Sequence, residues 1–319
     1  MKRLLIFLLA AFLLAGAAGA EDGAGVNMPE TDGEGFLADR DGAPFVQEDA
    51  EAGSWLYIGP DLRVEIARRT EKKLLWYEAD IRCREGVAFT PVLAEGSREA
   101  GHNFIDPFTL AEESGAVFAV TDDNYGERWY RTNVEEKKGY YEGAVIRDGE
   151  IRADILPPEK YTKFPSLDVM AWYPDGTVEM YDARAHTAQE YLDMGAVNTW
   201  AFGPILLRDG QPNDLVFDQT KLSYEGHMEK APRMAMGYYE KGHYVFLCAV
   251  GRSAKSEGAT LPWLIERMQQ LGVKDGFNLD GGQTAVMCFM GKSVNKSPAI
   301  DRETLRKVSS MIGIGTAGQ

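Results

Sequence analysis

Apolar and polar residues alternate along much of this chain in the pattern of half-buried β-strands. Charged residues separate Leu62, Val64 and Ile66, and a second strand-like segment follows at 74–83. A period of two residues directs one face of a strand toward a core. Further strand-like runs lie at 117–120, 244–250, 276–279 and 284–290. We therefore predict that sheet is the main element of the fold.

Three Asp-Gly pairs lie beside strand-like segments and predict hairpin turns. Residues 148–149 separate 144–147 from 150–155, and residues 175–176 separate 169–173 from 177–181. The third pair, 209–210, follows the segment 204–208. Glycine accepts the positive φ that two-residue hairpin turns require.

Three segments carry the signals of short helices. Segment 106–115 begins with Asp-Pro, segment 187–195 begins with the capping box Thr-Ala-Gln-Glu, and both end at glycine. Segment 260–272 has apolar residues at helical spacing and also ends at glycine. Strands mixed with a few helices predict an α+β fold with a mixed, largely antiparallel sheet.

The beginning of the chain has the pattern of an export signal. Lys2 and Arg3 precede an apolar run, and Ala18-Gly19-Ala20 is a small-x-small cleavage site, so we assign residues 1–20 to a signal peptide. An uncleaved anchor is the alternative, but the run is shorter than the roughly 20 apolar residues of a bilayer span. No later segment is apolar enough to cross a membrane. A secreted or cell-envelope protein is expected.

Residues 21–54 are acidic and rich in glycine, proline and alanine, which predicts a flexible leader. A short docked piece around Phe36 or Phe45 is the alternative. The folded domain is then expected to span residues 55–319.

Charge and cysteine content narrow the function classes. The formal net charge of −15 argues against nucleic acid as a partner, because neutralising phosphates requires a basic face. An anionic substrate would be repelled by the net charge of the protein and would have to be attracted by positive charge at the binding site. The three cysteines, Cys83, Cys248 and Cys288, form no disulfide framework and no Cys-x-x-Cys pair. Buried free thiols are expected, with a single bridge as the alternative.

The stretch from Asn278 to Thr284 is the most unusual one in the chain. Its sequence, Asn-Leu-Asp-Gly-Gly-Gln-Thr, places Asp280 at the end of an apolar strand and two glycines directly after it. Paired glycines allow the backbone to approach a ligand closely. A carboxylate held at a strand end suits catalysis or metal binding. Spacing alone leaves a plain Asp-Gly hairpin as an equal alternative.

The same stretch, with its surroundings, resembles the phosphodiester glycosidase family, which includes an N-acetylglucosamine-1-phosphodiester α-N-acetylglucosaminidase and bacterial exopolysaccharide biosynthesis proteins. The resemblance rests first on Asn278-Leu279-Asp280-Gly281-Gly282. It extends to Trp200–Leu206, Ala231-Pro232-Arg233 with Gly237, Gly251-Arg252, Gly258, Met287, Gly291 and Asn295. It covers roughly residues 62–315 and is most specific in the C-terminal half.

The resemblance implies cleavage of a sugar-1-phosphodiester of the N-acetylglucosamine type in a phosphorylated or phosphodiester-linked glycan of the envelope or extracellular space. Arg233 and Arg252 would hold the phosphate, since guanidinium pairs bidentately with its oxygens. Asp280 would act as nucleophile or base, with Asp123 as a second carboxylate. Other residues expected to contact substrate are Asn278, Gly281, Gly282, Gln283 and Thr284. A divalent cation on Asp280, Asp123 or Asp122 is an option that the spacing does not demand.

Three positions depart from the family pattern. Thr121-Asp122-Asp123-Asn124 replaces the usual Asn-Gly-Asp or Asn-Gly-Gly, Val250 replaces the Asp before Gly-Arg, and Gln283 replaces a third glycine. Thr121 and Val250 motivate an alternative function, that of a non-catalytic glycan-binding protein on the same scaffold.

Overall fold

The computed structural model describes residues 27–94, 104–123, 142–160, 163–218, 224–295 and 305–316. The expected signal peptide therefore lies outside the described residues. Strands of the first half are β1 (Phe45–Asp49), β2 (Ser54–Ile58), β3 (Leu62–Glu71), β4 (Leu74–Cys83), β5 (Thr90–Leu93), β6 (Phe118–Thr121), β7 (Gly143–Arg147), β8 (Glu150–Ile155), β9 (Asp168–Trp172) and β10 (Val178–Tyr181).

Strands of the second half are β11 (Asn198–Phe202), β12 (Ile205–Arg208), β13 (Gln211–Pro212), β14 (Arg233–Glu240), β15 (His243–Val250), β16 (Asp275–Leu279), β17 (Met287–Phe289), β18 (Lys292–Ser293) and β19 (Ser310–Ile314). The α-helices of the described residues are α1 (Pro107–Ser114), α2 (Ala188–Asp193), α3 (Tyr224–Met228) and α4 (Leu261–Leu271).

The described strands form three antiparallel sheets. The largest has nine strands in the order β1-β2-β3-β4-β15-β14-β16-β12-β13. Two five-stranded sheets have the orders β10-β9-β11-β7-β8 and β18-β17-β6-β19-β5. A sheet-rich fold with few helices agrees with the prediction.

One large apolar core lies where the three sheets meet. It takes residues from β3, β4, β14, β15 and β16 of the large sheet, and from β9, β11, β6, β17 and β19 of the other two. Phe89 lies near its centre and contacts Trp172, Tyr244 and Phe246 with ring centroids 4.9 to 5.3 Å apart. The alternation read from Leu62, Val64 and Ile66 therefore faces this core.

Two of the three Asp-Gly pairs adopt the backbone that their sequence predicts. Asp148 and Gly149 have φ of 53° and 76°, and Asp209 and Gly210 have φ of 47° and 75°. Positive φ at both central residues fits a hairpin whose twist matches that of the strands. At the third pair only Gly176 has positive φ, and its N–H donates to the Tyr173 carbonyl at 3.0 Å.

The chain is ordered earlier than Trp55. Phe45–Asp49 forms β1 and pairs with β2, and Phe36 and Leu37 are buried. The Leu37 N–H donates to the Gly59 carbonyl at 2.9 Å, and Leu37 packs with Leu56 and Ile58. The expected flexible leader thus contains a docked piece and a strand, because a few apolar side chains offset an otherwise acidic composition.

The structure distinguishes between the two expectations for the cysteines, free thiols or a single bridge. Cys83, Cys248 and Cys288 are free and buried. Burial raises the pKa of Cys83 to about 11, so the thiol is protonated at neutral pH.

Among the described helices, none combines the length and apolarity that a membrane crossing requires.

Candidate functional site

Three adjacent strands of the large sheet bring the candidate site together at one end. β14 begins with Arg233, and β15 runs antiparallel to it and ends just before Gly251 and Arg252. β16 pairs with the other side of β14, with Met234 opposite Leu279, so Asp280 follows directly beside Arg233. Sheet register therefore joins Arg233, Arg252 and Asp280 despite their separation in sequence.

These strand ends border a pocket of about 220 Å³. Its lining includes the predicted residues Arg233, Arg252, Asp280, Gly281, Gly282 and Gln283. It also includes Phe164, Pro165, Phe202, Gly226, Glu229, Ala231, Leu279 and Arg306. A larger, neighbouring groove contains none of the predicted site residues.

The two glycines after Asp280 are required by close approach and by backbone conformation. A Cβ on Gly281 would lie 2.6 Å from the Pro232 carbonyl oxygen, closer than packed atoms approach. Gly282 has φ of 65°, and its N–H donates to the same carbonyl at 2.9 Å. A 3-10 turn at Gly282–Thr284 follows, and the next strand begins at Met287, later than predicted.

Asp280 is buried and held in a fixed orientation at the pocket. Its Oδ1 accepts from the Gly281 N–H at 2.8 Å and its Oδ2 from the Thr284 hydroxyl at 2.7 Å. Its own N–H donates to the Asp122 carbonyl at 2.8 Å. A carboxylate oriented by such bonds can present a lone pair to a reacting atom without rearrangement.

Arg233 is also buried, and part of its guanidinium serves the fold. Nε donates to the Ala259 carbonyl at 3.2 Å, and Nη2 donates to the carbonyls of Gly226 and Glu229 at 2.7 and 2.8 Å. Within the described residues, Nη1 makes no hydrogen bond. Burial lowers the pKa of Arg233 to about 10, Glu229 opposes this, and Arg252 adds to it, so Arg233 remains charged at neutral pH.

Arg252 differs because its guanidinium is exposed. Its Nη1 would lie 3.6 Å from a Cβ on Gly282, which places the guanidinium over the Asp280 loop. No hydrogen bond or ion pair joins this side chain to the parts of the chain that the structure describes. Arg252 is therefore the cation of this pocket that is most ready to receive an anion.

The remaining predicted site residues lie behind the pocket. The Thr284 hydroxyl supports Asp280, and Asn278 Nδ2 donates to the Gly203 carbonyl at 2.8 Å. Both side chains are fully buried and do not line the pocket. In this structure both side chains bond to the strand end and the Asp280 loop.

Asp123 belongs to a separate buried cluster with Asp122 and Arg147. Its Oδ1 accepts from Arg147 Nη2 at 2.5 Å and its Oδ2 from the Ala201 N–H at 2.7 Å. Asp122 Oδ2 lies 3.5 Å from the same arginine nitrogen and accepts from the Ser310 hydroxyl at 2.5 Å. The structure brings Asp123 together with Arg147 and not with Arg233 and Arg252.

The buried cluster holds two carboxyl groups beside one arginine. Burial raises the pKa of Asp123 to about 7, Arg147 opposes this shift, and the neighbouring Asp122 adds to it. One guanidinium cannot neutralise two buried carboxylates, which favours the protonated form of Asp123. Through the Asp122 carbonyl, this cluster supports the backbone of Asp280.

The two departures at positions where the family has a polar residue are both buried. Thr121 and Val250 are 1% and 2% exposed, and neither lines the pocket. Thr121 Oγ1 accepts from the Val286 N–H at 3.4 Å, and the Val250 carbonyl accepts from the Ser256 hydroxyl at 2.5 Å.

Sequence reasoning missed two charged residues of the pocket, Glu229 and Arg306. The Arg306 N–H donates to the Gln283 carbonyl at 3.4 Å, which ties a distant segment to the Asp280 loop. Neither residue belongs to a motif that spacing could identify. Within the described residues, no group of three or more His, Cys, Asp and Glu side chains is placed to hold a metal ion.

The chain belongs to the phosphodiester glycosidase family, whose model matches residues 114–315. This confirms the resemblance and makes the domain one of a family of glycosidase-type hydrolases. The SPbeta prophage-derived uncharacterized protein YomE of Bacillus subtilis (strain 168) is 28% identical over 161 residues, which are 50% of this chain and 24% of that protein. The chain therefore spans about a quarter of that relative's length.

Solved structures share the fold at low identity. The catalytic domain of zebrafish N-acetylglucosamine-1-phosphodiester alpha-N-acetylglucosaminidase, auto-inhibited by its pro-peptide, matches with a TM-score of 0.59, 15% identity and coverage of 81% of this chain and 85% of that chain. A hypothetical protein from Synechocystis matches with a TM-score of 0.60, 14% identity and coverage of 88% and 65%.

Proposed function

We propose that this protein is a secreted hydrolase that cleaves sugar-1-phosphodiester linkages of the N-acetylglucosamine type in envelope or extracellular glycans. The observation that carries the proposal is the pairing of an exposed arginine, Arg252, with the oriented carboxylate of Asp280 in one pocket. Membership of the family and the export pattern of residues 1–20 support it.

In this proposal the anionic diester binds to the arginine side of the pocket. Arg252 holds the phosphate, and Arg233 Nη1 contributes a second contact. Together with Arg306 these residues concentrate positive charge in a chain whose net charge is −15. A locally positive cleft raises the concentration of an anionic substrate despite the charge of the whole protein.

Asp280 then acts at the anomeric carbon, as nucleophile or as base for a water. The bond between the anomeric carbon and the phosphate oxygen breaks, water supplies its oxygen to the sugar, and a phosphomonoester leaves. Phosphate is a good leaving group, so a strong general acid is needed less than in ordinary glycoside hydrolysis. Among the described residues, Glu229 is the other carboxylate that lines the pocket, and Asp123 acts from behind as support.

A panel of nitrophenyl sugar phosphodiesters tests the proposal, with the purified protein assayed in the presence and absence of a chelator. We expect release of the sugar from an N-acetylglucosamine phosphodiester and none from the corresponding uncharged glycoside. Comparison of the rates measured with and without the chelator decides whether a divalent cation takes part in the reaction. Absence of turnover on every phosphodiester of the panel would contradict the proposal and favour the glycan-binding alternative.

A further inference from the structure

A second depression lies beside the candidate site, between the turn that joins β3 to β4, the segment 257–260 and helix α4. We call it the tryptophan groove, after Trp76 and Trp263 in its lining. Its volume is about 600 Å³, which is within the range of sites that hold small ligands. The proposed reaction uses none of its residues.

Two indole rings form the apolar part of the groove. Trp76 and Trp263 pack edge to face, with centroids 5.2 Å apart and an interplanar angle of 72°. Trp76 is buried, and its indole N–H donates to Glu78 at 2.6 Å, which fixes the ring. Trp263 is half-buried on the first turn of α4. Arg267 Cζ lies over the Trp76 ring, 5.9 Å from its centroid, so Trp263 provides most of the accessible aromatic surface of the groove.

Polar side chains surround the aromatic surface. Lys73 and Lys230 both contact the carboxylate of Glu257, at 3.4 and 2.7 Å. Gln270 accepts from Arg267 at 3.0 Å, so its amide is held at the rim. An aromatic floor with a polar rim suits a pyranose, whose C–H face is apolar and whose hydroxyl groups project from the ring edge.

The groove shares a wall with the candidate site. Ala231 lines the site and Ala259 lines the groove, and these two residues form a β-bridge. Arg233 Nε also donates to the Ala259 carbonyl at 3.2 Å. Bridged residues lie about 5 Å apart, so the linings of the pocket and the groove meet along this backbone.

We propose that the tryptophan groove binds the carbohydrate chain attached to the scissile group, so that an oligosaccharide or polymer binds more tightly than a small phosphodiester. The part of this inference that connects the groove to the scissile group rests on the proposed function. The part that assigns carbohydrate binding rests on the residues of the groove.

Binding of an N-acetylglucosamine hexasaccharide to the full chain, measured by calorimetry, tests the groove. Trp263→Ala should weaken binding by about tenfold, as expected for loss of one aromatic partner. Gln270→Ala should weaken it by about fivefold, the effect of one lost hydrogen bond. Phe217→Ala, which removes an aromatic side chain that is 51% exposed outside the groove, is the matched control and should bind as wild type does.

Turnover of the small N-acetylglucosamine phosphodiester is the second readout. Trp263→Ala should leave it unchanged, whereas Asp280→Asn should abolish it and leave hexasaccharide binding intact. If wild type cleaves no phosphodiester but Trp263→Ala still weakens binding, the proposed function fails and the groove stands. Unchanged affinity in a folded Trp263→Ala and in Gln270→Ala, or no binding by wild type, would overturn the groove. Should Trp263→Ala not fold, Gln270→Ala decides alone.

Discussion

Replacing Asp280 by Asn separates the chemistry of the pocket from its architecture. Asn can retain both contacts of the carboxylate: its oxygen accepts from the Gly281 N–H, and its amide donates to Thr284 Oγ1. The Thr284 hydroxyl can make this exchange because it also lies 2.6 Å from the Gly281 carbonyl and can donate its one proton there instead. The substitution therefore removes a charge and preserves the loop.

The expected magnitudes follow from these contacts. Since the hydrogen bonds survive, the free energy of unfolding should change by less than about 1 kcal/mol, or about 2–4 °C in Tm. Turnover should fall by about 10²- to 10⁴-fold, which corresponds to roughly 3 to 5 kcal/mol of transition-state stabilisation. Asp280→Ala is the contrasting variant, because it leaves the Gly281 N–H without its acceptor and should cost about 1–3 kcal/mol of stability.

The assay combines turnover of the N-acetylglucosamine phosphodiester with thermal unfolding of each variant. Binding of the uncleaved substrate to Asp280→Asn should persist, because Arg233 and Arg252 remain and a repulsive charge is gone. A folded Asp280→Asn that cleaves as fast as wild type would refute the role of Asp280. Loss of turnover together with a large loss of stability would show that Asp280 acts mainly through the fold.

Three other substitutions test the surroundings of the pocket. Arg252→Lys keeps the charge but loses the planar fork, so kcat/KM should fall by about tenfold, with the exposed Arg82→Lys as a control; equal rates would remove Arg252 from the phosphate site. Val250→Asp buries an unpaired carboxylate and should cost about 3 kcal/mol or more by denaturant unfolding; a stable variant with faster turnover would contradict this. Asp123→Asn tests the raised pKa, because the folded protein keeps a proton that the unfolded chain loses above its ordinary pKa of 3.8. The stability of wild type relative to this variant should therefore fall as the pH rises from about 4 to about 7, and a constant difference would exclude the shift.

Much of the local structure was predictable because its causes are local. Thr187 accepts from the Glu190 N–H at 3.2 Å while Glu190 accepts from the Thr187 N–H at 2.7 Å, as the capping box predicts. A turn after Asp280 was also predictable, since glycine accepts the positive φ that Gly282 adopts there. Only the start of the next strand was placed too early, because a 3-10 turn takes up the residues after Gly282.

Residues assembled by long-range packing were not predictable in the same way. Arg306 reaches the pocket through a backbone contact with Gln283, and no periodicity or spacing marks it. The resemblance to the family implied that Asp123 is a second carboxylate of the site. Its partners, Arg147 and the Ala201 N–H, come from two other strands, β7 and β11. Only the packing of the sheets shows that its carboxylate is used inside the protein.

The difference between buried side chains and side chains that line the pocket also bears on whether this chain is an enzyme or a binding protein. The binding alternative was motivated by Thr121 and Val250, which replace polar residues of the family pattern. A substitution suggests lost catalysis when it removes a group that reaches the substrate, but both of these side chains are buried and outside the pocket lining. The residues that would touch a phosphodiester, Arg252 and Asp280, are present. The departures therefore lie outside the pocket lining, and they are a weaker argument for the binding alternative than the changes of residue type suggest.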